Sequence, residues 1–153
     1  MTMTILIVGE MVMDYDYREK KFVAVLKSDL ETGVALNVIG HLAISISKHA
    51  NGHMGQSPLV DGSVIKHLGI AKYPFIITKA KQGKIRTSIE KAREDDRILC
   101  ADYPRQMLET GHDNELVESL QKADEKSLEY LGAVFFGPTE VINEITGKFS
   151  LFK

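Results

Sequence analysis

Apolar positions fall into short dense runs set between polar, turn-prone segments, and the run Phe22-Val23-Ala24-Val25-Leu26 is the plainest of them. Its length and its β-prone residues predict a buried strand, which Lys27 and Ser28 close. Asp29 and Thr32 are then candidate N-caps, because a short side-chain oxygen can accept from the free amides of a first helical turn, and Gly33 allows close backbone approach. From Val34 to Lys48 apolar residues wrap most of the helical circumference, which predicts burial on most sides. One narrow polar stripe interrupts them: Asn37, His41, Ser45 and Lys48, at steps of four, four and three. Asn51-Gly52 supplies the left-handed stop.

Beyond that stop the pattern loses regularity until Lys72. Within it Pro58-Leu59-Val60, Asp61-Gly62 and Ser63-Val64-Ile65 predict a small hairpin with a type I′ turn, in a segment that is either a binding loop or a passive flap. Tyr73 to Thr78 predicts the next strand, with proline near its start. A helix follows over about Gln82 to Asp95, its stripe made by Ile85, Ile89 and Ala92. Arg97 to Ala101 predicts a strand that delivers Asp102 to its end, before Pro104. Asp113 or Asn114 can cap a helix with the stripe Leu116, Val117, Leu120 and Ala123. Leu131 to Phe136 is the last predicted strand, broken by Gly137-Pro138, and Thr139 to Ile145 a short helix closed by Gly147.

Strands alternating with helices of this length predict an α/β domain, a three-layer α/β/α arrangement around a mixed, mostly parallel four-stranded sheet. Residues 21–153 read as one domain, with 1–20 as an extension that is either an extra edge strand or a leader. With 153 residues and 44% hydrophobic content the chain can bury a core without staples or metals. A formal net charge of -2 exerts no global pull toward DNA or anionic lipid. The four cations of Lys79 to Arg86 and the seven acids of Glu109 to Glu129 read as solvated faces. The single cysteine, Cys100, lies in an apolar run, which points to packing and to a reducing, cytoplasmic setting. No membrane-length apolar stretch is present in the sequence.

No nucleotide-binding glycine motif, zinc-protease motif, serine elbow or paired CxxC occurs, so neither cofactor nor metal is expected. Sheets of this kind bind ligands at the carboxyl ends of their strands, where Asp29, Thr78, Asp102 and Gly137 are expected. Asn37 and His41 would need partners on so apolar a helix. The expectation is therefore a shared crevice in which Asn37, His41, Asp102 and Gly137 meet a small polar ligand, with Asp102 orienting His41 as a base if there is catalysis.

The segment Val23 to Leu30 running into Gly33, Ala35 and Asn37, the Gly52 to Gly69 loop, Asp102, and Leu131 to Pro138 followed by Thr146 to Leu151 together resemble the peptidyl-tRNA hydrolase II-like superfamily. The likeness is stronger to an uncharacterised bacterial branch of it and covers about Lys21 to the end. It implies a four-stranded mixed sheet between helix layers. It also implies, for an enzyme, hydrolysis of an aminoacyl or peptidyl ester of tRNA. Asp29-Leu30 and Gly33 match the hydrolases, whose catalytic lysine is replaced here by Leu36. Asp102 matches their aspartate and Gln106 replaces their threonine four residues on. The partners so implied are a small polar ligand or a tRNA-linked ester, and a second copy in a homodimer.

Overall fold

The computed structural model describes residues 15–153, and the expectation for the first thirteen residues lies outside that span. In chain order the elements are β1 (Lys20–Lys27), α1 (Thr32–His49), β2 (Leu59–Val60), β3 (Lys66–His67), β4 (Phe75–Ala80), α2 (Gln82–Arg93), β5 (Leu99–Pro104), α3 (Gln106–Glu109), α4 (Asp113–Gln121), β6 (Tyr130–Pro138), α5 (Thr139–Thr146) and β7 (Ser150–Leu151). Five strands form one mixed sheet in the order β5-β6-β1-β4-β7, and β2 with β3 makes a separate hairpin.

Among the described residues only β1 and β4 pair in parallel; β1 with β6, β5 with β6 and β4 with β7 are antiparallel. This corrects the mostly parallel four-stranded expectation. The physical reason is β6. Strand β5 does run with β1 and β4, but β6 enters between β5 and β1 in the opposite direction and turns two pairings antiparallel. The two-residue β7 is too short to leave a readable run.

Alternation along β1 feeds two cores. Phe22, Ala24 and Leu26 meet Ala35, Val38, Leu42 and Ile46 of α1 on one face. On the other face Val23 and Val25 meet Ile85, Ile89 and Ala92 of α2 with Val141 and Ile142 of α5. The predicted stripe of α2 is thus the buried one. Helix α1 departs from expectation: it lies against a single sheet face, and Leu36 (61%) and Ile44 (74%) stay exposed. Its N-cap is Glu31, with no side-chain capping bond, because Asp29 is engaged by Lys27 Nζ at 3.0 Å instead. Strands β4 and β5 each run past their expected ends, so Thr78 and Asp102 lie within strands. The tight Asp61-Gly62 turn is a wider loop, because the Asp61 carboxylate accepts from the amides of Ser63 (2.8 Å) and Ile65 (3.0 Å).

A polar knot secures α2 to the chain just ahead of β6. The Tyr130 phenol, on a residue 1% exposed, donates to Glu125 Oε2 at 2.6 Å and accepts from Arg93 Nη2 at 3.0 Å. Arg86 lies over the Tyr130 ring, 5.1 Å from its centroid, and donates to both Glu125 oxygens at 2.9 and 3.0 Å. Burial pushes the Tyr130 hydroxyl up to about 12, so it remains a donor. Removing that hydroxyl leaves two charged groups short of a partner, so Tyr130→Phe is expected to lose roughly 1–2 kcal/mol. Urea denaturation checks this, with the midpoint falling at an unchanged slope.

Candidate functional site

A cavity of about 300 Å³ opens between α1 and the α3–α4 segment. Helix α1 contributes His41, Leu42 and Ser45, and β5 contributes Asp102 and Tyr103. The far wall is Met107, Thr110, Gly111, His112, Asp113 and Leu116. His41 and Ser45 share one helical face by their spacing of four, and Leu42 anchors that face to the core. Tyr103 comes from the core side of β5, and its ring centroid is 6.1 Å from that of His41. Burial raises the Tyr103 phenol above its ordinary value, which keeps it a hydrogen-bond donor.

The far wall is held by its own backbone. Thr110 Oγ1 donates to the Gln106 carbonyl at 2.8 Å, and the Asn114 amide donates to His112 Nδ1 at 3.1 Å. His112, rather than Asp113 or Asn114, is therefore the cap of α4. With Nδ1 accepting, the neutral ring carries its proton on Nε2, which is left available as a donor. The described lining holds two imidazoles, three hydroxyls and the carboxyl-bearing residues Asp102 and Asp113, with no lysine or arginine among them.

Of the residues expected from sequence, His41 lines this cavity and Asp102 borders it. They do not form an acid–base pair. Ala101 and Tyr103 pack with α1, whereas Cys100 packs with the opposite core, and by alternation the Asp102 carboxyl follows Cys100. Its Oδ2 lies 3.7 Å from Arg93 Nη2 on α2. Burial raises the Asp102 pKa, Arg93 opposes the rise and Glu125 adds to it. The same surroundings push the Cys100 thiol up to about 12, which suits packing rather than nucleophilic work.

Asn37 is exposed one turn before His41 and is not in the cavity wall. Gly33 sits exposed in the first turn of α1, and Asp29 is exposed in the turn before it. Thr78 is buried inside β4, where its hydroxyl donates to the Ala24 carbonyl at 2.8 Å. Gln106 opens α3 beside the cavity without lining it, and its Oε1 is buried with no partner among the described residues. Gly137 is at the other end of the sheet, paired with Lys21, because β6 runs against β1. A Cβ there would stand 2.7 Å from the Arg97 carbonyl oxygen, so close backbone approach accounts for the glycine. The expected four-residue crevice therefore reduces to His41 with the edge of Asp102. Sequence reasoning passed over Tyr103, Thr110 and His112; the Gly111-His112-Asp113 turn was the available signal.

Residues 20–153 match the family described as Protein of unknown function (DUF2000). The chain belongs to this family. A solved protein of unknown function from Agrobacterium tumefaciens strain C58 is similar over 88% of this chain and 98% of its own, with 21% identity and a TM-score of 0.79. At that identity the likeness is one of fold. No curated protein matches.

The half-buried Asp102 carboxyl makes a pH-dependent prediction. An acid whose folded pKa lies above its ordinary 3.8 holds its proton more tightly when folded. Its contribution to stability is full below 3.8 and is lost as pH rises through the folded value. Asp102→Asn, which keeps an acceptor for Arg93, should therefore melt higher than wild type at pH 7. That advantage should shrink as pH falls toward 3.8. Thermal melts across the acid range check both the sign and the window.

Proposed function

We propose that this protein binds a small polar ligand rich in hydroxyl or amine donors, in the cavity between α1 and the α3–α4 segment, within a reducing cytoplasm. The observation that carries the reading is the character of the wall. His41, Ser45, Thr110 and the Asp113 carboxylate offer acceptors, while no lysine or arginine of the described lining could balance a phosphate. A polyol, an amino alcohol or a small amine suits such a wall better than a phosphorylated compound. The half-buried free thiol of Cys100 accords with the reducing setting.

The peptidyl-tRNA hydrolase II-like reading is the second. What favours it is a crest of cations at the carboxyl ends of the strands: Lys27 between Asp29 (3.0 Å) and Glu129 (3.8 Å), and Arg105 on Glu129 at 2.5 Å. The covering of both sheet faces by helices supports a three-layer α/β/α arrangement of that kind. Against the chemistry stand Leu36 in place of the lysine and the turn of the Asp102 carboxyl toward α2.

A thermal-shift screen with polyols, amino alcohols and short amines tests the first reading, since a ligand that binds only the folded state raises its melting temperature by mass action. A shift is expected for wild type and should be lost in His41→Ala, whose side chain is exposed enough for the fold to survive. A panel in which only phosphorylated compounds shift the protein, or in which His41→Ala responds like wild type, defeats the reading. Incubation with a peptidyl-tRNA is expected to release no peptide. Release that Asp102→Ala abolishes would put the second reading first.

A further inference from the structure

We propose that the groove between α2 and the end of α5 is a binding site for a small phosphorylated ligand. It lies on the sheet face opposite His41, since α2 and α5 cover the side fed by Val23 and Val25 while α1 covers the other. The groove encloses a cavity of about 230 Å³. Lys84 and Lys91 come to it from α2 and Lys148 from the turn after α5, and Glu144 is the one acid of the described lining. The wall therefore carries a surplus of two positive charges. A phosphate monoester, at about −1.5 to −2 near pH 7, matches that surplus. Helical period sets Lys84 and Lys91 two turns apart on one face with Thr87 between them, and their long stems let both ammoniums reach a single anion as point charges. Among the described residues no ion pair includes Lys84, Lys91 or Lys148.

Helix electrostatics account for only part of this set. Lys91 stands in the last turn of α2 and Lys148 just past the end of α5, where the free carbonyls favour cations. Lys84 stands in the first turn of α2, which holds no acid and whose free amides disfavour a cation. A local cost retained at one position is what a functional site leaves behind, and a bound phosphate reverses its sign. The frame under the lysines is packed. Ser88, 3% exposed, donates through Oγ to the Lys84 carbonyl at 2.9 Å and lies 3.4 Å from the Ile145 carbonyl oxygen, which ties α2 to α5. A Cβ on Gly147 would stand 2.6 Å from the Asn143 carbonyl oxygen, and Phe149 packs into the core beneath α2, so the backbone on both sides of Lys148 is fixed. Thr87 donates its proton to the Gly83 carbonyl at 3.0 Å, and its remaining lone pairs, with the Glu144 carboxylate, can accept from a hydroxyl of the ligand. The cavity is smaller than the roughly 300–1,000 Å³ of drug-sized sites, which suits a phosphate on a short hydroxylated stem.

Isothermal titration calorimetry of the full chain with glycerol 3-phosphate, at an ionic strength held constant with sodium chloride, tests the proposal. A saturable one-site heat is expected for wild type and equally for His41→Ala. Lys84→Gln should weaken binding about tenfold, the effect of losing one charge-assisted contact, and Lys84→Gln together with Lys148→Gln should abolish it. Both side chains are exposed, and Lys84→Gln takes a cation from the unfavourable end of a helix, so that variant should melt no lower than wild type and its lost affinity cannot come from misfolding. A wild-type chain that gives no saturable heat overturns the proposal. So does binding lost in His41→Ala, which would put the phosphate in the cavity beneath α1, or binding that the double lysine variant keeps, which would leave only a diffuse ion atmosphere on this groove.

Discussion

The fold depends on a single strand having no wet side. β1 is hydrogen-bonded to β4 along one edge and to β6 along the other, and helices cover it above and below. Its residues from Phe22 to Leu26 must therefore all be apolar, instead of alternating as in a half-exposed strand. Burial of this one run fixes the register of two neighbours and the faces on which α1, α2 and α5 must dock. Glycine at 132 follows from the same constraint, because a Cβ there would meet the Val25 carbonyl oxygen at 3.0 Å and side chains of Leu26 and Val38 at 3.1 Å.

That constraint also explains what could be read from the chain without coordinates. Continuous apolar runs such as Phe22 to Leu26 and Leu131 to Phe136 report burial directly, and the helical spacing of Ile85, Ile89 and Ala92 reports one face. Strand direction leaves no such mark. Nothing local in Leu131 to Phe136 says that it runs against β1, so Gly137 was expected beside Asp102 and lies at the far end. Helix α1 shows a different limit: its apolar wrap is compatible with burial all round, and only the arrangement of its neighbours reveals that Leu36 and Ile44 face water.

The site was half legible for a related reason. His41 and Ser45 declared themselves as polar positions on an apolar helix, and both border the cavity. The wall opposite them is made by irregular backbone, where side-chain position depends on turns and caps rather than on period. His112 reaches the cavity as the cap of a nine-residue helix, a role that its residue type does not advertise. Asp102 reaches the cavity wall, but parity turns its carboxyl toward α2. A strand end extended by a few residues placed it inside β5, where alternation, not position along the chain, decides which face receives the carboxyl.

The two margins of the sheet have a consequence for how the protein behaves when concentrated. Among the described residues, β7 offers a neighbour only two residues on one side, and on the other β5 ends in Pro104, which has no amide to donate. Among the described residues each border therefore offers a strand of another molecule a shortened or interrupted row of partners. A chain can then display greasy loops to its surroundings while the ladder from which ribbons and fibrils grow is cut short at those two places.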